Sequence, residues 1–230
     1  MVAYSFQQLT EIPEHILQQT NIERLDLRHN KLTFIPENIT NLVNLKSLNI
    51  SYNQIKKLSD IFDRLPNLEI LDISHNQIDS IPQSITKLIM LRNFNAWNNQ
   101  ITELPNNFSN LVNLERLDLG CNLLSKVDID WSNLKKLSYL SLKSNQLDKL
   151  PESIHKLDKI EKLFLFGNNF TRIPLNLDLM KSLKEAYIGG NPIADKIEVS
   201  PFNYFEHGCY GRGSFWKKSH TSLEDKNKII

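Results

Sequence analysis

Asparagine recurs at Asn30, Asn53, Asn76, Asn99, Asn122, Asn145, Asn168 and Asn191, and all seven intervals are 23 residues. Each closes the same frame of apolar positions, seen undiluted in Leu137-Ser138-Tyr139-Leu140-Ser141-Leu142-Lys143-Ser144-Asn145. Self-similarity at a fixed period of this length is the mark of a stacked repeat architecture. One such unit cannot bury its own apolar face, so stability must come from its neighbours.

Within a repeat the first half alternates apolar and polar residues with period two, as in Arg24-Leu25-Asp26-Leu27-Arg28, which predicts a half-buried strand. The asparagine follows where the chain must turn and leave backbone groups that cannot pair within the sheet. Its short amide can satisfy them from inside the turn, so an asparagine ladder is expected along one edge. The second half, as in Leu150-Pro151-Glu152-Ser153-Ile154-His155-Lys156-Leu157, spaces its apolar residues by four and three and puts proline at an expected first helical position. That predicts a short helix or 3₁₀ turn.

On these residues the chain resembles the leucine-rich repeat family, over Ile22 to Ile193 without a break in register. The Leu-Pro-x-x-Ile-x-x-Leu half is similar to repeats of intracellular scaffold proteins and of eukaryotic-like effectors of the Legionella type. The resemblance implies an α/β solenoid, a horseshoe with a parallel β-sheet on its concave face and short helices or 3₁₀ turns on its convex face. The expected organisation is an imperfect N-terminal capping repeat over 1–21, eight repeats over 22–200, an aromatic C-terminal cap over 201–216 and a polar, mobile tail over 217–230. Two convex segments depart from the pattern, at Leu58-Ser59 and at Val127 to Trp131, where the indole is expected to fill core.

Composition narrows the function. A net charge of +1 provides no general field for a polyanion, so nucleic acid is not expected as a partner. No apolar run long enough to span a bilayer occurs, and the opening MVAYSFQQLTEIPEH has neither a basic nor an apolar signal region, so neither a membrane span nor Sec export is expected. With only Cys121 and Cys209, and no cysteine-rich caps, a reducing compartment is expected. The Asn-x-Ser/Thr tripeptides at Asn38, Asn107 and Asn169 are then chance matches. The terminal Glu224-Asp225 among hydroxyl and lysine residues is similar to type IV secretion signals, which would allow translocation into a host cell.

The outward strand positions define the concave surface. Its N-terminal end is polar and charged, with Arg24, Asp26, Arg28 and Asp72, and its C-terminal end carries Trp97, Arg116, Asp118, Tyr139, Lys143, Phe164, Phe166 and Tyr187. An aromatic patch of this kind is expected to be exposed and to anchor a partner protein, unless the aromatic tail folds back over it. The resemblance implies a monomeric recognition module gripping another protein, host or bacterial. Its sharper form covers an enzyme's active site, as the ribonuclease-inhibitor branch does.

Catalysis is not expected. Cys121 and His75 stand two repeats apart, beyond hydrogen-bond reach, and Cys121 is read as a plain, partly buried thiol. His207, Cys209 and His220 fit no zinc spacing, and the glycines 208, 211 and 213 form no phosphate loop, so no cofactor or metal is expected. The alternatives are a structural spacer without a concave ligand, or an enzyme of another class using His207, Cys209 and His220 of the tail.

Overall fold

The computed structural model describes residues 2–193 and the backbone of three short strands beyond them. Nine strands run parallel in chain order: β1 Val2–Ala3, β2 Arg24–Asp26, β3 Ser47–Asn49, β4 Ile70–Asp72, β5 Asn93–Asn95, β6 Arg116–Asp118, β7 Tyr139–Ser141, β8 Lys162–Phe164 and β9 Glu185–Tyr187. From β2 to β9 the register is the sequence repeat itself: Leu25 faces Leu48, Leu48 faces Leu71, and Leu163 faces Ala186. Two further strands, β10 Phe202–Tyr204 and β11 Gly211–Gly213, pair antiparallel with each other. The last, β12 Phe215–Lys217, adds antiparallel to β9 with Phe215 opposite Tyr187, so it extends the sheet at its edge.

The rest of the expected cap and tail, including His207, Cys209, His220 and Glu224-Asp225, lies outside the described residues. So do the last residues assigned to the repeats, 194–200.

The asparagine ladder has the predicted chemistry. Asn53 Oδ1 accepts the Leu32 N–H of the preceding repeat at 2.9 Å, while its Nδ2 donates to Leu27 O at 3.1 Å and to Ile50 O at 3.0 Å. The same pattern returns at Asn122 and Asn145, both buried. Each amide therefore ties one turn to the next, and buried groups that no strand could pair are satisfied.

On the other side the described residues form one short α-helix, Glu14–Leu17, and then 3₁₀ turns such as Glu37–Asn41, Gln83–Lys87 and Glu152–Lys156. The expected placement of proline at the first position of these turns is corrected. Pro36, Pro82 and Pro151 stand one position earlier in extended backbone, with ψ of 150°, 153° and 151°. Proline has no N–H to lose, and its carbonyl accepts the first turn's bond, as from Ile39 N–H at 3.1 Å. The two departing repeats bridge differently: Phe62 and Trp131 donate their N–H groups to the hydroxyls of Ser84 and Ser153 in the next repeat. Trp131 is fully buried and donates its indole N–H to Val127 O, the core role expected of it. Stacked leucines and isoleucines of every repeat make one continuous core.

Among the described residues no helix is long and apolar enough to cross a membrane.

Candidate functional site

The concave face divides into a stiff polar half and an aromatic, cationic half. In the first, each Asp or Asn at the end of a strand turns back on its own chain. The Oδ1 atoms of Asp26, Asn49, Asp72, Asn95 and Asp118 accept the N–H two residues on, at Arg28, Ser51, Ser74, Trp97 and Gly120. The column read from sequence as a stripe of presented charges is thus a run of side-chain turns that closes each strand. Asp26 is buried and its Oδ2 lies 3.2 Å from Arg28 Nε, so Asp26 and Arg28 satisfy each other. Asp72 Oδ2 accepts from Asn95 Nδ2 at 3.2 Å. Arg24 is exposed at the start of β2.

The second half gathers most of the predicted residues into one network. The Arg116 guanidinium lies 3.9 Å from the Tyr139 ring centroid, Tyr139 tilts against Phe164 at 5.5 Å, and Phe164 stacks on Tyr187 at 5.0 Å and 13°. Tyr139 donates to Asp118 Oδ2 at 3.4 Å, and Tyr187 donates to Glu185 Oε2 at 2.8 Å, which in turn pairs with Lys162 at 3.3 Å. Beside this row the Lys143 ammonium sits between the faces of Trp97 and Phe166, at 5.5 and 5.7 Å.

Gly120 makes that reach possible. A Cβ there would stand 2.8 Å from Lys143 Cγ and 2.9 Å from Trp97 Cδ1. The rungs on either side therefore meet across it.

Two expectations are corrected. The aromatic residues are half-buried against one another rather than fully exposed, because the close repeat spacing brings neighbouring rings into contact. Lys143, counted as an outward charge, is buried, its stem covered by the rings it bridges.

Burial also pushes the Asp118 carboxyl above the usual aspartate range, against the opposing pull of the Gly120 N–H, the Ser141 hydroxyl, the Lys143 charge and the Tyr139 hydroxyl. Tyr187 is raised too, by burial first and then by its bond to Glu185. A cavity of about 130 Å³, large enough for one side chain, opens between Ile70, Asp72, Asn93, Asn95, Arg116, Asp118 and Tyr139.

Cys121 is a third correction. It is disulfide-bonded, not a free thiol. The only other cysteine, Cys209, lies outside the described residues. Cys121 sits half-buried in the turn after β6, with φ of 52°. Among the described residues no group of His, Cys, Asp or Glu is arranged to hold a metal.

Sequence reasoning missed a second feature. The residue before each ladder asparagine is left-handed, with φ of 55° at His29, 54° at Tyr52 and 52° at His75, and Phe6 at 60° continues the row. Glycine fills this slot at Gly167 and Gly190. At the N-terminal end rings fill it instead, stacked Phe6 on His29 at 4.2 Å, His29 on Tyr52 at 4.1 Å and Tyr52 on His75 at 3.7 Å. The signal was the 23-residue spacing of ring-bearing residues, read only as a test for a catalytic dyad.

With this geometry in view, comparison with known families is decisive. The leucine rich repeat model matches residues 5–55, 20–78 and 112–170, and a two-copy model of the same repeat matches 89–131. The chain belongs to the leucine-rich repeat family, whose members are generally protein-interaction modules.

Among solved structures it is similar to a leucine-rich-repeat protein of Leptospira interrogans, at 28% identity over 82% of this chain and 54% of that one, with a TM-score of 0.70. A TDR receptor matches at 30% identity over 77% of this chain and 32% of its own, also at a TM-score of 0.70. An internalin from Listeria monocytogenes, at 22% identity over 79% and 52% with a TM-score of 0.70, shares the fold. The chain spans from about a third to about half of these chains. No curated protein matches.

Proposed function

We propose that this chain is a non-enzymatic recognition module that holds a partner protein against the C-terminal half of its concave face. The observation that carries the reading is the preassembled row Arg116, Tyr139, Phe164 and Tyr187, held on four consecutive strands with its rings already in contact. Aromatic and arginine side chains are the common anchors of protein interfaces, and anchors fixed before binding cost little ordering entropy. The cavity beside Arg116 and Asp118 would seat one partner side chain. In the finer form of this reading the partner is an enzyme, host or bacterial, regulated by having its active site covered.

The test is affinity capture from host and bacterial lysates with the wild-type chain and a Tyr139, Phe164, Phe166 and Tyr187 to Ala variant, followed by purified binding. A protein retained by wild type alone supports the concave face as the working surface, and an assay of that protein's activity tests the inhibitory form. Equal retention by both overturns the patch as anchor. A second reading, a spacer with no concave ligand, draws on β12, which occupies the sheet edge beside Tyr187. It predicts no captured protein at all.

A further inference from the structure

We propose that the stacked rings of the N-terminal repeats border a second binding site, for an uncharged oligosaccharide about three rings long. A shallow, open trough of about 580 Å³ runs along the stack. Its walls include Phe6, Tyr52, Gln8, Lys31, Gln54 and Gln77, and no carboxylate is among its lining residues.

The polar groups are available. The side chains of Gln8, Lys31, Gln54 and Gln77 are all exposed, and none makes a hydrogen bond within the described structure, in contrast to the buried Asn30 and Asn53 beside them. Phe6 is 67% exposed and Tyr52 40%. Left-handed backbone disfavours a bulky side chain, and glycine serves the same slot elsewhere in the chain, so closing the turn does not require rings here. The rings and the amide row together build a surface that turn geometry alone would not select.

The ligand follows from chemistry and pitch. Side-chain amides offer a donor and an acceptor together, the complement of sugar hydroxyls, and the ring edges, left open where the faces stack on one another, give apolar C–H contact to a pyranose. One amide or ammonium recurs per repeat, at the sheet spacing of about 4.8 Å. An extended peptide presents same-side groups about 6.6 Å apart and falls out of step within three repeats. An extended glycan places about one pyranose ring on each rung. The absence of carboxylates, with a single ammonium at Lys31, rules against a cationic ligand.

Isothermal titration of the full chain with chitotriose, cellotriose and maltotriose tests this. At least one should bind, with its Kd raised about tenfold or more in a Gln54→Ala plus Gln77→Ala variant and in Tyr52→Ala, and unchanged in Phe164→Ala plus Tyr187→Ala. The two glutamines are exposed, so their variant keeps the fold, which circular dichroism checks. No heat with any of the three sugars, or binding that the glutamine variant leaves intact, overturns the proposal. So does a loss of equal size in the concave-face variant.

Discussion

The guanidinium of Arg116 lies 3.9 Å from the centre of the Tyr139 ring, one strand further along the sheet. Neither side chain has to move to present a flat cation backed by an aromatic face. If this pair is the centre of the partner site, Arg116→Ala and Tyr139→Leu should each weaken a captured partner by about 1 kcal/mol or more while changing stability by less than that. Surface plasmon resonance beside urea unfolding separates the two effects.

Asp118 sets a pH dependence. Its folded pKa is raised by burial, so between the unfolded value of 3.8 and the raised folded value the native state holds more protons than the unfolded one. Its contribution is therefore unfavourable at neutral pH, and that penalty is relieved as the pH falls into this window. Asp118→Asn keeps an Oδ1 for the Gly120 N–H, as Asn49 and Asn95 do for theirs, and should remove this part of the slope. Urea unfolding of both proteins between pH 4 and 7 would show the two curves converging toward low pH; parallel curves would sink the assignment.

The asparagine ladder should be costly to break. Asn145→Ala leaves the buried Leu124 N–H without its acceptor and takes one bond from each of the Leu119 and Leu142 carbonyls, which keep those from Asn122 and Asn168, and a loss of about 2 kcal/mol is expected in denaturant unfolding. The exposed Asn44→Ala, which gives up only a bond to Thr20 O, should cost under about 1 kcal/mol.

Gly120→Ala tests the bridge across the aromatic row. The new methyl collides with both Lys143 and Trp97, and the rigid indole cannot yield as the lysine stem can. The expected outcome is a loss of about 1–2 kcal/mol with a shift in tryptophan emission. Unchanged emission and stability would mean the close approach is not as described.

The repeat, the strand register, the asparagine ladder and the buried indole of Trp131 were legible from the chain because each rests on a local pattern repeated every 23 residues. Stacking maps such a pattern directly onto space: a residue's column neighbours are its sequence neighbours one period away. The assembly of Trp97, Arg116, Tyr139, Phe164 and Tyr187 on one stretch of the concave face was readable by the same logic.

What happens between rungs was not legible. Whether a column side chain faces solvent, its own backbone or the next rung depends on distances of a few ångströms that periodicity does not carry. Asp26 read as a presented charge and is buried against Arg28; Lys143 read as outward and is covered by two rings; Cys121 read as a free thiol and is disulfide-bonded. Sequence by itself determined the solenoid and the membership of each column, because hydrophobic period and turn chemistry are local. Only the tertiary structure decided which members touch, since the contacts of Phe6 with His29, or of Lys143 with Trp97 over Gly120, exist only once neighbouring turns are packed at van der Waals distance.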